Sequence, residues 1–268
     1  MRLVVDVWST GDLYEPYVGR WSRLVAAKFV EWLAPPEAAR WLDVGCGTGA
    51  VTHTILATAA PLAVVGVDPS ADYVGQVRKR ADADRADFTV GDAQKLDFPD
   101  ESFDFVVSGL VLNFLADPVH SLREMRRVAR RQGTVAAYVW DYPGEMQLMK
   151  FFWDTAVGLD QTAAALHEGR RFSFCQRDDL AAMFRRAALT EVEARPIVVV
   201  TRFENFDDYW TPFLGGQGPA PSYAVSLGED RRAALADAIR RRLPISEDGS
   251  ITLTARAWAV RGKVRVSR

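Results

Sequence analysis

The chain has 268 residues, 49% hydrophobic and 25% charged, a globular composition that excludes a disordered or fibrous chain. Its 33 basic and 35 acidic side chains leave a formal charge of -2, so no global field draws it toward nucleic acid or an anionic membrane. Cys46 and Cys175 lie too far apart to suggest a disulfide framework, no apolar leader follows Met1, and no window is long enough to cross a bilayer; the expectation is a soluble cytoplasmic enzyme.

An aromatic segment, Tyr14 to Trp21, runs into a helix expected to bury Leu24, Val25, Phe29, Trp32 and Leu33 on one face before Pro35 and Pro36. An alternation follows. Trp41 to Val44 reads as a short buried strand, with glycines behind it and a helix from about Ala50. Leu62 to Val67 is a second strand ending at Asp68, and Pro69 and Ser70 open a second helix. Phe88 to Val90 and Phe103 to Ser108 are further strands. A helix is expected from about Pro118 to Arg131, and a fifth strand, Thr134 to Trp140, opened by a turn at Gly133. Then come a helical stretch to about Cys175, a helix near Asp178 to Ala188, and a β-branched strand from Ile197 to Thr201. A second interruption, about Phe203 to Pro244, precedes the last strand, Ile251 to Val260.

Strands alternating with helices predict a doubly wound, mostly parallel α/β sheet, Rossmann-like in organisation. Residues 1–268 are expected as one domain, with helical cap elements at about 1–34, 142–176 and 203–246.

The strongest local signal is Asp43-Val44-Gly45-Cys46-Gly47-Thr48-Gly49, placed between a predicted strand and a predicted helix. Glycine permits close approach of backbone to ligand, and the helix start beyond offers unpaired N–H donors. Asp68 ends the second strand, where a carboxylate can take both hydroxyls of an adenosine ribose. The same glycines, with Ala50, also satisfy a loose dinucleotide pattern, so an NAD-dependent oxidoreductase stays open at this point. Asp43 favours the cationic amino-acid end of S-adenosylmethionine over a pyrophosphate, and Asp92, after the third strand, suits an adenine amino group.

These residues carry a resemblance. Trp41 to Gly49, the run Gly91-Asp92-Ala93 through Ser108, Asp117-Pro118, and Leu122 to Val128 with Gly133 resemble, in that order, the motifs of class I S-adenosylmethionine-dependent methyltransferases. The likeness is closest to the ubiquinone and menaquinone biosynthesis branch and covers about residues 38–140. It implies a seven-stranded sheet with an antiparallel last strand, S-adenosylmethionine as cofactor, and methyl transfer. It places Gly45 and Gly47 by the methionine portion, Asp68, with Pro69 beside it, at the ribose, Asp92 and Ala93 at adenine, and Ser108 near the methionine amino group.

Arg20 is a candidate clamp for the cofactor carboxylate, with Tyr14 or Tyr17 closing over it. Tyr17, Asn113, Trp140, Asp141 and Trp210 are the candidate acceptor contacts. Asp141 and His167 are the candidate bases. The aromatic series Phe203, Phe206, Tyr209, Trp210 and Phe213 reads first as one buried helix face and second as a pocket wall, which would favour a small aromatic or apolar acceptor. No ligand set for a metal stands out. The charge balance argues against a nucleic-acid methyltransferase. A protein that binds the cofactor without transferring methyl groups is the remaining alternative, because fold and cofactor site do not fix the chemistry.

Overall fold

A computed structural model describes residues 15–79, 85–216 and 218–265. The chain divides into two compact units. One comprises Ser22–Trp140, Phe174–Ile197 and Ala257–Arg268; the other comprises Met1–Trp21, Asp141–Ser173 and Val198–Arg256.

The first unit is built on the sheet. Helix α1 (Arg20–Leu33) leads to β1 (Arg40–Val44), α2 (Ala50–Thr58), β2 (Ala63–Asp68), α3 (Ala71–Arg78), β3 (Ala86–Val90) and β4 (Phe103–Gly109). Then follow α4 (Pro118–Val128) and β5 (Ala129–Trp140). The seven strands lie in the order β3-β2-β1-β4-β5-β7-β6, with β6 at Thr190–Phe203 and β7 at Ile251–Lys263. The pairs among β1 to β5 are parallel and β7 runs antiparallel to β5, as the resemblance implies.

Apolar runs buried on both faces hold the centre. Trp41 of β1 stacks on Phe105 of β4 at 4.4 Å, and Phe29 of α1 packs edge-on to Tyr138 of β5 at 4.8 Å. The buried face of α1 steps through Val25, Phe29 and Leu33, every fourth residue, as a 3.6-residue period requires. Leu24 falls off that stripe and is 46% exposed, contrary to expectation.

Three predicted boundaries shift. Helix α4 stops at Val128 and β5 begins at once, so Gly133 lies within a strand. Gln132 has φ +61°, a Cβ on Gly133 would sit 2.6 Å from the Arg130 carbonyl oxygen, and the β4–β5 register slips between Phe103 and Phe105. The glycine therefore accommodates a bulge where a turn was expected. Strands β6 and β7 are longer than predicted. The polar half of β6 before Ile197 hid its strand character, while the partly exposed tail of β7 hid its end.

The second unit carries α5 (Gln147–Leu159), a short α6 (Glu168–Arg171), and, after α7 (Arg177–Arg186) of the first unit, α8 (Phe206–Trp210), α9 (Pro219–Ser226) and α10 (Glu229–Arg240). Its interior is aromatic. Phe152 stacks on Phe213 at 4.6 Å, Tyr17 meets Phe213 edge-on at 5.4 Å, and the Tyr209 hydroxyl donates to the Leu148 carbonyl at 3.0 Å. Among the described residues no helix is long and apolar enough to cross a membrane.

Candidate functional site

The glycine loop leaves β1 and folds onto the end of β2. Gly45 and Cys46 both donate their N–H to the Val67 carbonyl, at 2.7 and 3.1 Å. Gly45, Gly47 and Gly49 have φ of +75°, +51° and +87°, a region in which side chains are strained. At Gly45 a Cβ would collide with the Val111 side chain, whereas at Gly47 it would meet open space. Gly49 caps α2 and has no side chain of its own to meet the helix's first N–H groups. The Cys46 thiol is buried, and burial pushes its pKa up, which removes it as a nucleophile.

Two carboxylates brace the loop. Asp43 is 1% exposed, and its Oδ2 accepts the Thr52 N–H at 3.1 Å and the Thr52 hydroxyl at 2.7 Å. Its Oδ1 is buried and finds no partner among the described residues. Burial raises the Asp43 pKa from its ordinary 3.8 to about 7, against the lowering by Thr52. Asp68 divides its oxygens: Oδ2 accepts Gly47 N–H and Oδ1 accepts Ser70 N–H, each at 2.9 Å. Burial raises its pKa as well. Pro69 beside it is exposed.

Asp92 is exposed and closes a turn by accepting the Gln94 N–H at 2.8 Å; Ala93 next to it is buried. The Ser108 hydroxyl donates to the Val44 carbonyl at 2.8 Å, tying β4 to β1 just before the glycines. Leu110 then adopts φ +63°, and a short turn of 3-10 helix spans Leu112–Phe114. Within it Asn113 is 6% exposed, and neither its Oδ1 nor its Nδ2 has a partner among the described residues. Each buried polar atom left so costs about 1–3 kcal/mol.

The remaining candidates lie elsewhere. Trp140 is buried at the end of β5, paired with Ala257. In the second unit, Arg20 donates to Asp208 at 2.9 Å, and its guanidinium lies 4.4 Å from the Trp21 ring centroid. The Tyr17 hydroxyl is buried and donates to Met149 Sδ at 2.9 Å. Asp141 accepts Arg256 Nε at 2.7 Å and the N–H groups of Gly144 and Glu145. His167 spends its Nδ1 accepting the Gly169 N–H at 3.0 Å and stacks on Trp153; burial lowers its pKa. Trp210 is half-buried against Phe206. Tyr14 falls outside the described residues.

The structure thus gathers Asp43, Gly45, Gly47, Asp68, Ser108 and Asn113 in the first unit, and Tyr17, Arg20, Asp141, His167 and Trp210 in the second. Sequence reading missed Thr52 and Val111 at the loop and Arg256 as the partner of Asp141. The helical position of Thr52, in the first turn after the glycines, was the one available signal.

Residues 42–137 match the family model described as a methyltransferase domain. A demethylmenaquinone methyltransferase of Roseiflexus castenholzii is 33% identical over 172 residues, covering 60% of this chain and 72% of that protein. A ubiquinone/menaquinone biosynthesis C-methyltransferase of Desulfotalea psychrophila is 27% identical over 192 residues, 68% of this chain and 76% of that one. Among solved structures, phosphoethanolamine N-methyltransferase 2 of Haemonchus contortus, in complex with S-adenosyl-L-methionine, aligns with a TM-score of 0.56 at 15% identity over 89% of this chain and 52% of that one; at that identity it speaks for the fold alone. On this similarity the chain belongs to the class I S-adenosylmethionine-dependent methyltransferases, on the branch of the demethylmenaquinone and ubiquinone/menaquinone biosynthesis enzymes.

Proposed function

We propose that the glycine loop and its acids hold S-adenosylmethionine for methyl transfer to a small aromatic or apolar molecule. The observation that carries the reading is Asp43, a buried carboxylate with one oxygen lacking a partner among the described residues, at the foot of a loop whose three glycines all take positive φ. A cationic ligand group would supply what that oxygen lacks. Open space at Gly47 fits a ligand lying against the backbone.

In this reading Asp43 meets the cationic amino-acid end, and Gly45 and Gly47 border the methionine portion. Asp68, already anchored through Gly47 and Ser70, offers its remaining lone pairs to the ribose, with Pro69 beside it. Asp92 and Ala93 face adenine, and the Ser108 backbone faces the amino group. When bound, the cofactor supplies a methyl group already activated by its sulfonium. The protein's task is then alignment and exclusion of water, and positioning alone accounts for about 7–11 kcal/mol of barrier lowering in well-oriented reactions.

The names of the relatives, which concern quinones, support an aromatic acceptor, as does the aromatic interior of the second unit around Phe152, Trp153 and Phe213. We assign acceptor selection to the cap segments 142–176 and 203–246, with Trp210, half-buried, and Tyr17 as contacts. Trp140 stays a candidate contact. Asp141 is held by Arg256, and His167 has its Nδ1 accepting the Gly169 N–H with its Nε2 3.7 Å from Asp154, so neither is assigned as a base, and Arg20, held by Asp208, is assigned to the cap rather than to the cofactor.

Parallel calorimetric titration with S-adenosylmethionine, S-adenosylhomocysteine and NAD tests the cofactor assignment. The first two should bind and NAD should not. Full retention of affinity in folded Asp43→Asn and Asp68→Ala variants would overturn the placement.

A further inference from the structure

The second unit gathers its unsatisfied polar groups in one place. Among the described residues, its buried side-chain polar atoms without a partner are Arg20 Nε and Nη2, Trp21 Nε1 and Thr201 Oγ1. All of them surround one ring. The Arg20 guanidinium lies 4.9 Å from the Phe203 centroid and 4.4 Å from that of Trp21. Trp21 meets Phe203 edge-on at 5.4 Å, and Thr201 shares a strand face with Phe203. Arg20 Nη1 is spent on Asp208, donating to Oδ1 at 2.9 Å and to Oδ2 at 3.3 Å. Its Nε and Nη2 form the other edge of the plane, a pair of parallel N–H groups that matches a carboxylate bidentately. Charged donors buried without a partner are costly to the fold.

Arg20 also lines a cleft of about 690 Å³ with Arg202, Glu204, Asp208, Asp248 and Ser250, all of the second unit. The charges there pair unevenly. Asp208 is answered by Arg20, and Asp248 stands 3.9 Å from Arg202, whereas Glu204 has no cationic partner among the described residues. An unused donor edge and an unpaired carboxylate on one cleft suit a ligand that carries both charges. We infer that the cleft takes a small zwitterion of the amino-acid kind, its carboxylate on the Nε–Nη2 edge of Arg20 and its ammonium on Glu204. An acid without the ammonium meets Glu204 as a like charge, and an amine without the acid leaves the guanidinium edge unanswered. This ligand is additional to the cofactor and the methyl acceptor.

The probes are L-phenylalanine, 3-phenylpropanoate, which lacks the ammonium, and 2-phenylethylamine, which lacks the carboxylate. They share one ring and differ in charge, and each is titrated into the S-adenosylhomocysteine-loaded protein. Phenylalanine should bind about tenfold or more tightly than either of the others. Arg20→Lys keeps a positive charge beside Asp208 and removes the planar edge. It should lower phenylalanine affinity by about tenfold or more and leave S-adenosylhomocysteine affinity within about twofold of the wild type. Glu204→Gln, at an exposed position, should bring phenylalanine down to the level of phenylpropanoate. Thermal melting shows that each variant is folded. Binding of none of the three probes overturns the inference, as does equal binding of phenylalanine and phenylpropanoate by the wild type. Unaltered phenylalanine affinity in either variant overturns it too. A tenfold loss of S-adenosylhomocysteine affinity in Arg20→Lys would assign the guanidinium to the cofactor and also overturn it. Phenylalanine should be recovered unchanged after incubation with S-adenosylmethionine; a methylated product would make the cleft the acceptor site and overturn its place as an additional one.

Discussion

Asp68 accepts the Gly47 N–H at 2.9 Å across 21 residues of chain, so the acid at the end of β2 fixes the middle of the glycine loop after β1. Its other oxygen holds the Ser70 N–H at the start of α3. One side chain thus sets the spacing between two strand ends. Hydrogen bonds to a charged group contribute about 1.5–3 kcal/mol each, and about 1.4 kcal/mol is tenfold in affinity. Asp68→Ala is expected to weaken S-adenosylhomocysteine binding by about 10- to 100-fold, read by calorimetry on a variant shown to be folded.

Asp43 makes stability and binding depend on pH in opposite directions. Its pKa in the folded protein is about 7 against an ordinary 3.8, so between those values the folded state holds a proton that the unfolded state has released. Stability of the ligand-free protein must then fall as pH rises from about 4 to 7 and level off above, by an amount on the order of 4 kcal/mol. A cation beside Asp43 favours the ionised form, so cofactor affinity should rise with pH up to about 7, with release of a proton on binding below that. Chemical denaturation across pH, in wild type and Asp43→Asn, checks the first part; the variant should lose this component of the slope. Calorimetry in buffers of different ionisation enthalpy counts the proton.

Gly45 and Gly47 are both in left-handed conformation, yet substitution should hurt them unequally. Gly47→Ala meets open space and bears only the conformational cost, about 1–2 kcal/mol. Gly45→Ala bears that cost and also drives a methyl into Val111, for which overpacking adds about 1–3 kcal/mol. Val111→Ala combined with Gly45→Ala should recover the overpacking part alone. Denaturant midpoints of the four proteins decide it, and equal losses for the two alanines would show that Val111 gives way freely.

The framework was legible because it rests on local patterns. Trp41 to Val44, the glycines behind it and Asp68 at the end of β2 are each encoded within a few residues, and the parallel α/β architecture follows from alternation. What stayed hidden depends on tertiary neighbours. Gly133 reads as a turn until the bulge opposite Phe103 and Phe105 is seen, since glycine serves both purposes. Nothing local separates Asn113, whose amide is buried without a partner among the described residues, from an ordinary surface amide. The role of Asp141 turned on Arg256, 115 positions away in sequence.

That pair supplies the last expectation. Asp141 follows β5, its side chain is 3% exposed, and its Oδ2 accepts Arg256 Nε at 2.7 Å and Glu145 N–H at 3.1 Å while its Oδ1 accepts Gly144 N–H at 3.2 Å. The fit also requires Gly144, since a Cβ there would overlap the Asp141 carboxylate. This carboxylate is tied to Arg256 and to the turn at Gly144 and Glu145, which gives it a structural task. Removing one member of a buried, hydrogen-bonded pair costs about 3–5 kcal/mol, with the lower end expected here because the Arg256 side chain is 30% exposed. Asp141→Ala should therefore lower the melting temperature by several degrees, and S-adenosylhomocysteine affinity in the folded fraction should hold. A variant that melts like the wild type but has lost methyl transfer would instead make Asp141 the base.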